Sequence, residues 1–257
     1  MAIRRLNRYP NFSFEDSHWG TAVPGDITAI LESCINTLTS HQDSRQLPKV
    51  NVDVDHITYD AASVARASVD PIWYPGDRIY LNCTDMHWCK YIYQFSHELC
   101  HHIISKPSII IDNFGWLEES LCELASLFVL KKSIKGWEKF PPYPNWAEYS
   151  KVINIYFNDI ITNKKYDINQ PFKLWLQGHL ADLYGQRYDR IKNTIIARAL
   201  LKVFFDDPSL WQCVQYYKGV NCALGGITTL NDFLNAWRAV LPNNLKKKFE
   251  KIVGVLI

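Results

Sequence analysis

The hydrophobic period of this chain changes twice along its length, and that limits the folds open to it more than any other feature. From Gly25 to His41, the apolar residues Ile27, Ile30, Leu31, Cys34, Ile35 and Leu38 recur at helical spacing and predict an amphipathic helix. Between Lys49 and Asn82 the period falls to two. Val50, Val52 and Val54 alternate with Asn51, Asp53 and Asp55, and further short segments end in Pro71, Pro75 and Gly76. Arg78–Asn82 then reads as a strand after a Pro-Gly turn. Helical spacing returns in Trp88, Ile92, Phe95, Leu99 and Ile103, and after a break near Pro107 a second helix is expected from about Trp116 to about Leu130. So short a period-two stretch supports only a small sheet, and the expected class is α+β.

The cluster Pro141-Pro142-Tyr143-Pro144 cannot lie inside a helix, so it divides the chain into an expected catalytic region, 1–140, and a helical subdomain, 141–257. In the second part Trp146–Thr162, Phe172–Tyr184, Tyr188–Phe205, Pro208–Tyr217 and Leu230–Leu241 each read as helical, separated by Gly185, Asp207-Pro208, Gly219 and Gly225-Gly226. A chain of 257 residues buries enough surface to need neither disulfides nor metal for its core. Its net charge of +2 argues against a surface that neutralises many phosphates, so no nucleic-acid partner is expected. The most apolar window, Leu121–Leu130, contains Glu123 and is far shorter than a membrane span, so no membrane is expected either. Arg4, Arg5 and Arg8 are not followed by the apolar stretch of a secretory signal, and the seven cysteines include no C-x-x-C pair. Both features point to a cytoplasmic protein with reduced thiols.

Within the helix that follows the sheet stands His97-Glu98-Leu99-Cys100-His101, an H-E-x-x-H pattern. Residues four apart on a helix lie about 40° from each other, so both imidazoles can reach one metal ion while Glu98 addresses a water beside it. Phe95 and Leu99 point about 160° from His97, so the helix is expected to bury one face and present the ligands on the other. Catalytic zinc needs a third protein ligand and one open position. Trp116-Leu117-Glu118-Glu119-Ser120-Leu121-Cys122-Glu123 supplies carboxylates on the next helix. Glu119, two residues from both Leu117 and Leu121, faces away from the apolar stripe and is the expected third ligand. Glu123, one turn on, is expected to accept from the second ring nitrogen of a ligating histidine.

At these residues the chain resembles the gluzincins, zinc metallopeptidases that include thermolysin and the W-L-N-E-G aminopeptidases. The resemblance is confined to residues 76–130 and is carried by Phe95–His102 and by Trp116–Ser120 with Glu123. It implies a zincin-like fold, a Zn2+ cofactor and a peptide or protein substrate, with Glu98 as general base. Glu118 stands where the family has Asn, and the interval from His101 to Glu119 is slightly shorter, which makes Glu118 a rival third ligand. The family further implies that Arg78–Asn82, with Tyr80 and Asn82, lines the cleft as an edge strand, and that a Tyr or His from the helical part stabilises the oxyanion. Tyr184 and His179 are the candidates for that part, with Arg187 and Tyr188 next. Endopeptidase action is favoured over aminopeptidase action because no G-x-M-E-N-like motif is present. Two alternatives stand beside this reading. One is a protein whose zinc is structural and which serves a regulatory partner; the other is the same metal chemistry acting on another amide, as in a deformylase.

Overall fold

The computed structural model describes residues 2–42, 52–56, 78–104, 112–220 and 226–257. The segments ending in Pro71, Pro75 and Gly76, the break at Pro107, and Gly225 and Cys222 lie outside the described residues. The fold is mixed α/β and mostly helical, with one small sheet. Strands β1 (Ile3–Arg5), β2 (Phe12–Glu15), β3 (Val52–His56) and β4 (Arg78–Leu81) lie side by side in that order. The β1/β2 pair is antiparallel and the other two pairs are parallel, with Phe14 opposite Val54 and Val54 opposite Ile79. β1 and β2 are additional to the strands expected from sequence. Phe12 and Phe14 do alternate with Ser13 and Glu15, but the run is too short to stand out.

Helix α1 (Pro24–Thr39) buries the six apolar residues that predicted it. Helix α2 (Trp88–Ile104) buries all of its expected stripe and packs on α1 and β4, with Phe95 edge-on to Phe12 of β2. Helix α3 (Gly115–Lys139) runs well past Leu130. Lys131 and Lys132, which read as a polar stop, set their ammonium groups 4.4 and 4.5 Å from the Phe205 ring centroid, and Ser133 and Trp137 are buried beyond them. Every residue of α3 from Gly115 to Leu130 is buried, so the helix has no solvent face over that length.

The remaining helices are α4 (Tyr149–Ile161), α5 (Phe172–Gly185), α6 (Arg190–Asp206), α7 (Trp211–Val214), α8 (Leu230–Val240) and α9 (Asn243–Leu256). The last is additional to the expected set, although Leu245, Phe249, Ile252 and Leu256 recur at helical spacing and are all buried. Helix α3 touches α2 on one side and α4 and α6 on others, and a single apolar core runs from Leu6 to Leu256. The Pro141–Pro144 cluster thus separates α3 from α4 without separating two cores. Among the described residues, no helix is long and apolar enough to cross a membrane.

The loop before α1 is tied to the start of α2 by one carboxylate. Asp85 accepts from Thr21 N and Thr21 Oγ1, both at 2.9 Å, and from Thr84 Oγ1 at 2.8 Å. These donors hold its carboxyl down at about 2. Gly20 sits beside it with φ +66°, and a Cβ there would fall 2.4 Å from Asp85 Oδ1. Gly20→Ala is therefore expected to destabilise the fold by about 2 kcal/mol. Gly178→Ala, in α5 with open space around the new Cβ, should stabilise it by about 0.5–1 kcal/mol. Urea unfolding midpoints of the two variants, moving in opposite directions from the parent, check this.

Candidate metal centre

The H-E-x-x-H residues fall in the last two turns of α2, directly against α3. His97 Nε2 lies 3.3 Å from Glu119 Oε2, and His101 Nε2 lies 3.5 Å from Glu119 Oε1. Both separations exceed the usual length of a charge-assisted N–H···O bond. Bonds of about 2.0–2.1 Å in a tetrahedron place neighbouring ligand atoms about 3.4 Å apart, a spacing that Glu119 Oε2 meets toward His97 Nε2, while His101 Nε2 is nearest the other oxygen, Oε1. The imidazole rings meet edge to face with centroids 5.1 Å apart. Glu119 thus turns one oxygen toward each of the two Nε2 atoms.

The far sides of the rings are also backed by carboxylates. His101 Nδ1 is 2.8 Å from Glu118 Oε1, a hydrogen bond that fixes the tautomer presenting Nε2. Glu118, the rival ligand in the sequence, lies behind His101 rather than beside Glu119. His97 Nδ1 faces Glu123 Oε2 at 4.0 Å, too long for a hydrogen bond. Glu123 Oε2 accepts instead from Tyr93 Oη at 2.5 Å, and its Oε1 from Thr194 Oγ1 at 3.4 Å. In this geometry Glu118 has the direct histidine contact that the sequence reading gave to Glu123. Adjacent glutamates on α3 can divide the tasks because one meets Nε2 and the other Nδ1.

Glu98, Glu118, Glu119 and Glu123 are all buried, as is His101. The expected exposed ligand face is therefore covered: α3 lies over α2, and Arg187 from the α5–α6 loop closes over the glutamates. His97 is the more open histidine, its side chain 17% exposed against 6% for His101. Burial alone would lower the His101 pKa, but the Glu119 and Glu118 carboxylates outweigh it and hold the ring well above its ordinary value. Burial likewise works against ionised Glu119, but His101 and His97 outweigh it and hold that carboxyl well below the usual range. Glu123 is raised, chiefly by burial.

Cys122 of α3 joins the two histidines in a group that could hold a metal ion: its Sγ and a ring nitrogen of each of His97 and His101 all lie within 4.8 Å of one another. Burial first, then Cys100 and the two glutamates, pushes its thiol well up, so at neutral pH it stays protonated while Glu119 is ionised. Arg187 gave no pattern in the sequence beyond its place near Tyr184. It sets Nε 3.0 Å from Glu119 Oε1 and Nη2 3.1 Å from Glu118 Oε1.

The more distant candidates are engaged elsewhere. Tyr184 Oη accepts from Leu230 N at the start of α8 (2.8 Å), with its ring against Phe114. His179 stacks on Trp175, its Nδ1 2.7 Å from the Trp175 carbonyl. Asn82 is turned onto α2, its N–H donating to Gln94 Oε1 at 2.9 Å and its Oδ1 accepting from Gln94 Nε2 at 3.1 Å. Tyr80 lies on β4, which has no strand beyond it among the described residues. No protein-family model matches the chain, and no curated protein or solved structure matches it.

The carboxylates favour the protonated His101 ring, so a metal ion at its Nε2 would compete with that proton. Zinc binding to the metal-free protein at neutral pH is expected to release about one proton per ion and to strengthen as pH rises. Titration calorimetry in buffers of different ionisation enthalpy measures that number, and zinc uptake without proton release would contradict the assignment.

Proposed function

We propose that this protein is a zinc-dependent peptidase with a zincin-like catalytic unit, acting on a peptide or protein substrate. The observation that carries this reading is the grouping of His97 and His101 on one helix with ring nitrogens close enough to share an ion, the Glu119 carboxylate 3.3 and 3.5 Å from their Nε2 atoms, and Glu98 on the same helix. The donor set of two imidazoles and a carboxylate is the kind that leaves zinc an open position. Bound there, zinc would supply Lewis acidity, polarising a scissile carbonyl and bringing the pKa of a water toward ~7.

Glu98, next to His97, would take a proton from the attacking water and pass it to the leaving amine. Glu98 is buried in α2, in the turn that carries both histidines. β4, a sheet edge among the described residues, offers backbone groups to an extended peptide. Tyr184 and His179 would have to give up their present partners to reach an oxyanion. The gluzincin resemblance fits this arrangement, with Glu118 in place of the family's Asn serving as the acceptor behind His101. A cytoplasmic location is proposed on the cysteines: the six described ones are all buried and none is in a disulfide.

A second reading rests on Cys122. If its thiolate joined the two histidines and Glu119, four protein donors would close the coordination shell and the metal would be structural, as suits a protein dedicated to a regulatory partner.

Glu98→Gln is expected to retain zinc and lose peptide hydrolysis by about 10²–10⁴-fold, measured with a peptide library and metal analysis on the same sample. Zinc retained with no cleavage dependent on Glu98 would contradict the enzyme reading. Cys122→Ser separates the two sites: zinc affinity should hold within a few-fold for the open site and collapse for the closed one.

A further inference from the structure

Arg187 belongs to this centre without being a possible ligand, since a guanidinium stays protonated and cannot bind a metal ion. Its placement is built rather than incidental. Its carbonyl accepts from Asn193 Nδ2 at 3.1 Å, and Asn193, itself buried, sets its Oδ1 3.4 Å from Ser120 Oγ of α3, whose hydroxyl donates to the Trp116 carbonyl at 2.7 Å. Its aliphatic stem rests on Gly115, where a Cβ would fall 2.9 Å from Arg187 Cγ. Its guanidinium lies 5.6 Å from the Tyr188 ring centroid. The loop, the first turn of α3 and the start of α6 thus all contribute to holding one side chain.

The head of that side chain makes a specific division. Nε bonds Glu119 Oε1, leaving Glu119 Oε2 as the oxygen nearest His97 Nε2. Nη2 meets Glu118 Oε1, the same oxygen that accepts from His101 Nδ1. One planar cation therefore spans the third ligand and the carboxylate behind the second histidine, a pairing that the fork of an arginine can make and the point charge of a lysine cannot.

We propose that Arg187 is a positioning residue that holds Glu119 as a one-oxygen metal ligand and couples it to the Glu118–His101 pair, with Gly115 as the seat its stem requires. The two-point clamp keeps the second carboxylate oxygen off the metal, so the open position is not taken by the protein itself. This rests on the metal-centre reading above but not on peptidase activity.

The test uses the full chain and zinc or cobalt(II) alone. Arg187→Ala is expected to keep the far-ultraviolet circular dichroism of the parent and to bind zinc about 10–100-fold more weakly in competition with a chromophoric chelator. Its cobalt(II) absorption bands should shift as Glu119 turns to offer both oxygens. Arg187→Lys should fall between parent and Arg187→Ala, and Gly115→Ala should weaken zinc in the same direction by displacing the stem. A merely structural arginine would not move the cobalt spectrum. Parent-like zinc affinity and cobalt bands in Arg187→Ala would overturn the proposal; should that variant fail to fold, the same result in Arg187→Lys would do so. A parent that binds no zinc would overturn the metal centre and the clamp together, whereas a zinc-binding parent without peptidase activity would leave the peptidase reading failed and the clamp decided by the same affinities.

Discussion

Three glutamates of α3, Glu118, Glu119 and Glu123, are buried against the histidines of α2 and the polar groups of the α5–α6 region, and the arrangement around them follows from the need to compensate that charge. Ionised carboxylates out of water cost several kcal/mol each unless paired, so they are kept only where partners surround them. Glu119 and Glu118 raise the affinity of the His101 ring for its proton, Arg187 spans the same two, and Tyr93 donates to Glu123. A dication would replace the shared proton and complete the balance. The same packing explains why α3 is buried through Leu130: a helix carrying these acids inside must be enclosed by α2, α4 and α6 to hold them in register.

That enclosure also links the two parts of the chain. Helix α2 supplies the histidines, whereas Arg187, Asn193 and Thr194 come from beyond the proline cluster and reach α3 through Glu118, Glu119, Ser120 and Glu123. The helical region thus contributes polar contacts to the centre as well as apolar packing. A single core from Leu6 to Leu256 is the apolar counterpart of the same fact.

Much of this was legible in the chain. The spacing of His97 and His101, and of the α1 and α2 stripes, depends only on helical period, so the helices and their buried residues follow from local pattern. Glu119 could be singled out because it is out of phase with Leu117 and Leu121. What local pattern could not supply was the contact made by residues far apart in sequence. Nothing about Gly185-Gln186-Arg187 signals that the arginine crosses to α3, and the division of work between Glu118 and Glu123 depends on which ring nitrogen each meets. The length of α3 was hidden for a related reason: Lys131 and Lys132 look like a solvated end until Phe205 is known to lie beneath them. The short strand β1 gains its stability from pairing with β2, and β2 from pairing with β3, which period alone does not reveal.

The most direct test of the central claim is a crystal structure of the zinc-loaded protein with anomalous data collected on both sides of the zinc absorption edge. The account predicts one anomalous peak per chain, about 2.0–2.1 Å from His97 Nε2, His101 Nε2 and one oxygen of Glu119, with the fourth position open to solvent. A peak bonded to Cys122 Sγ with no open position, or no peak between α2 and α3, would contradict it.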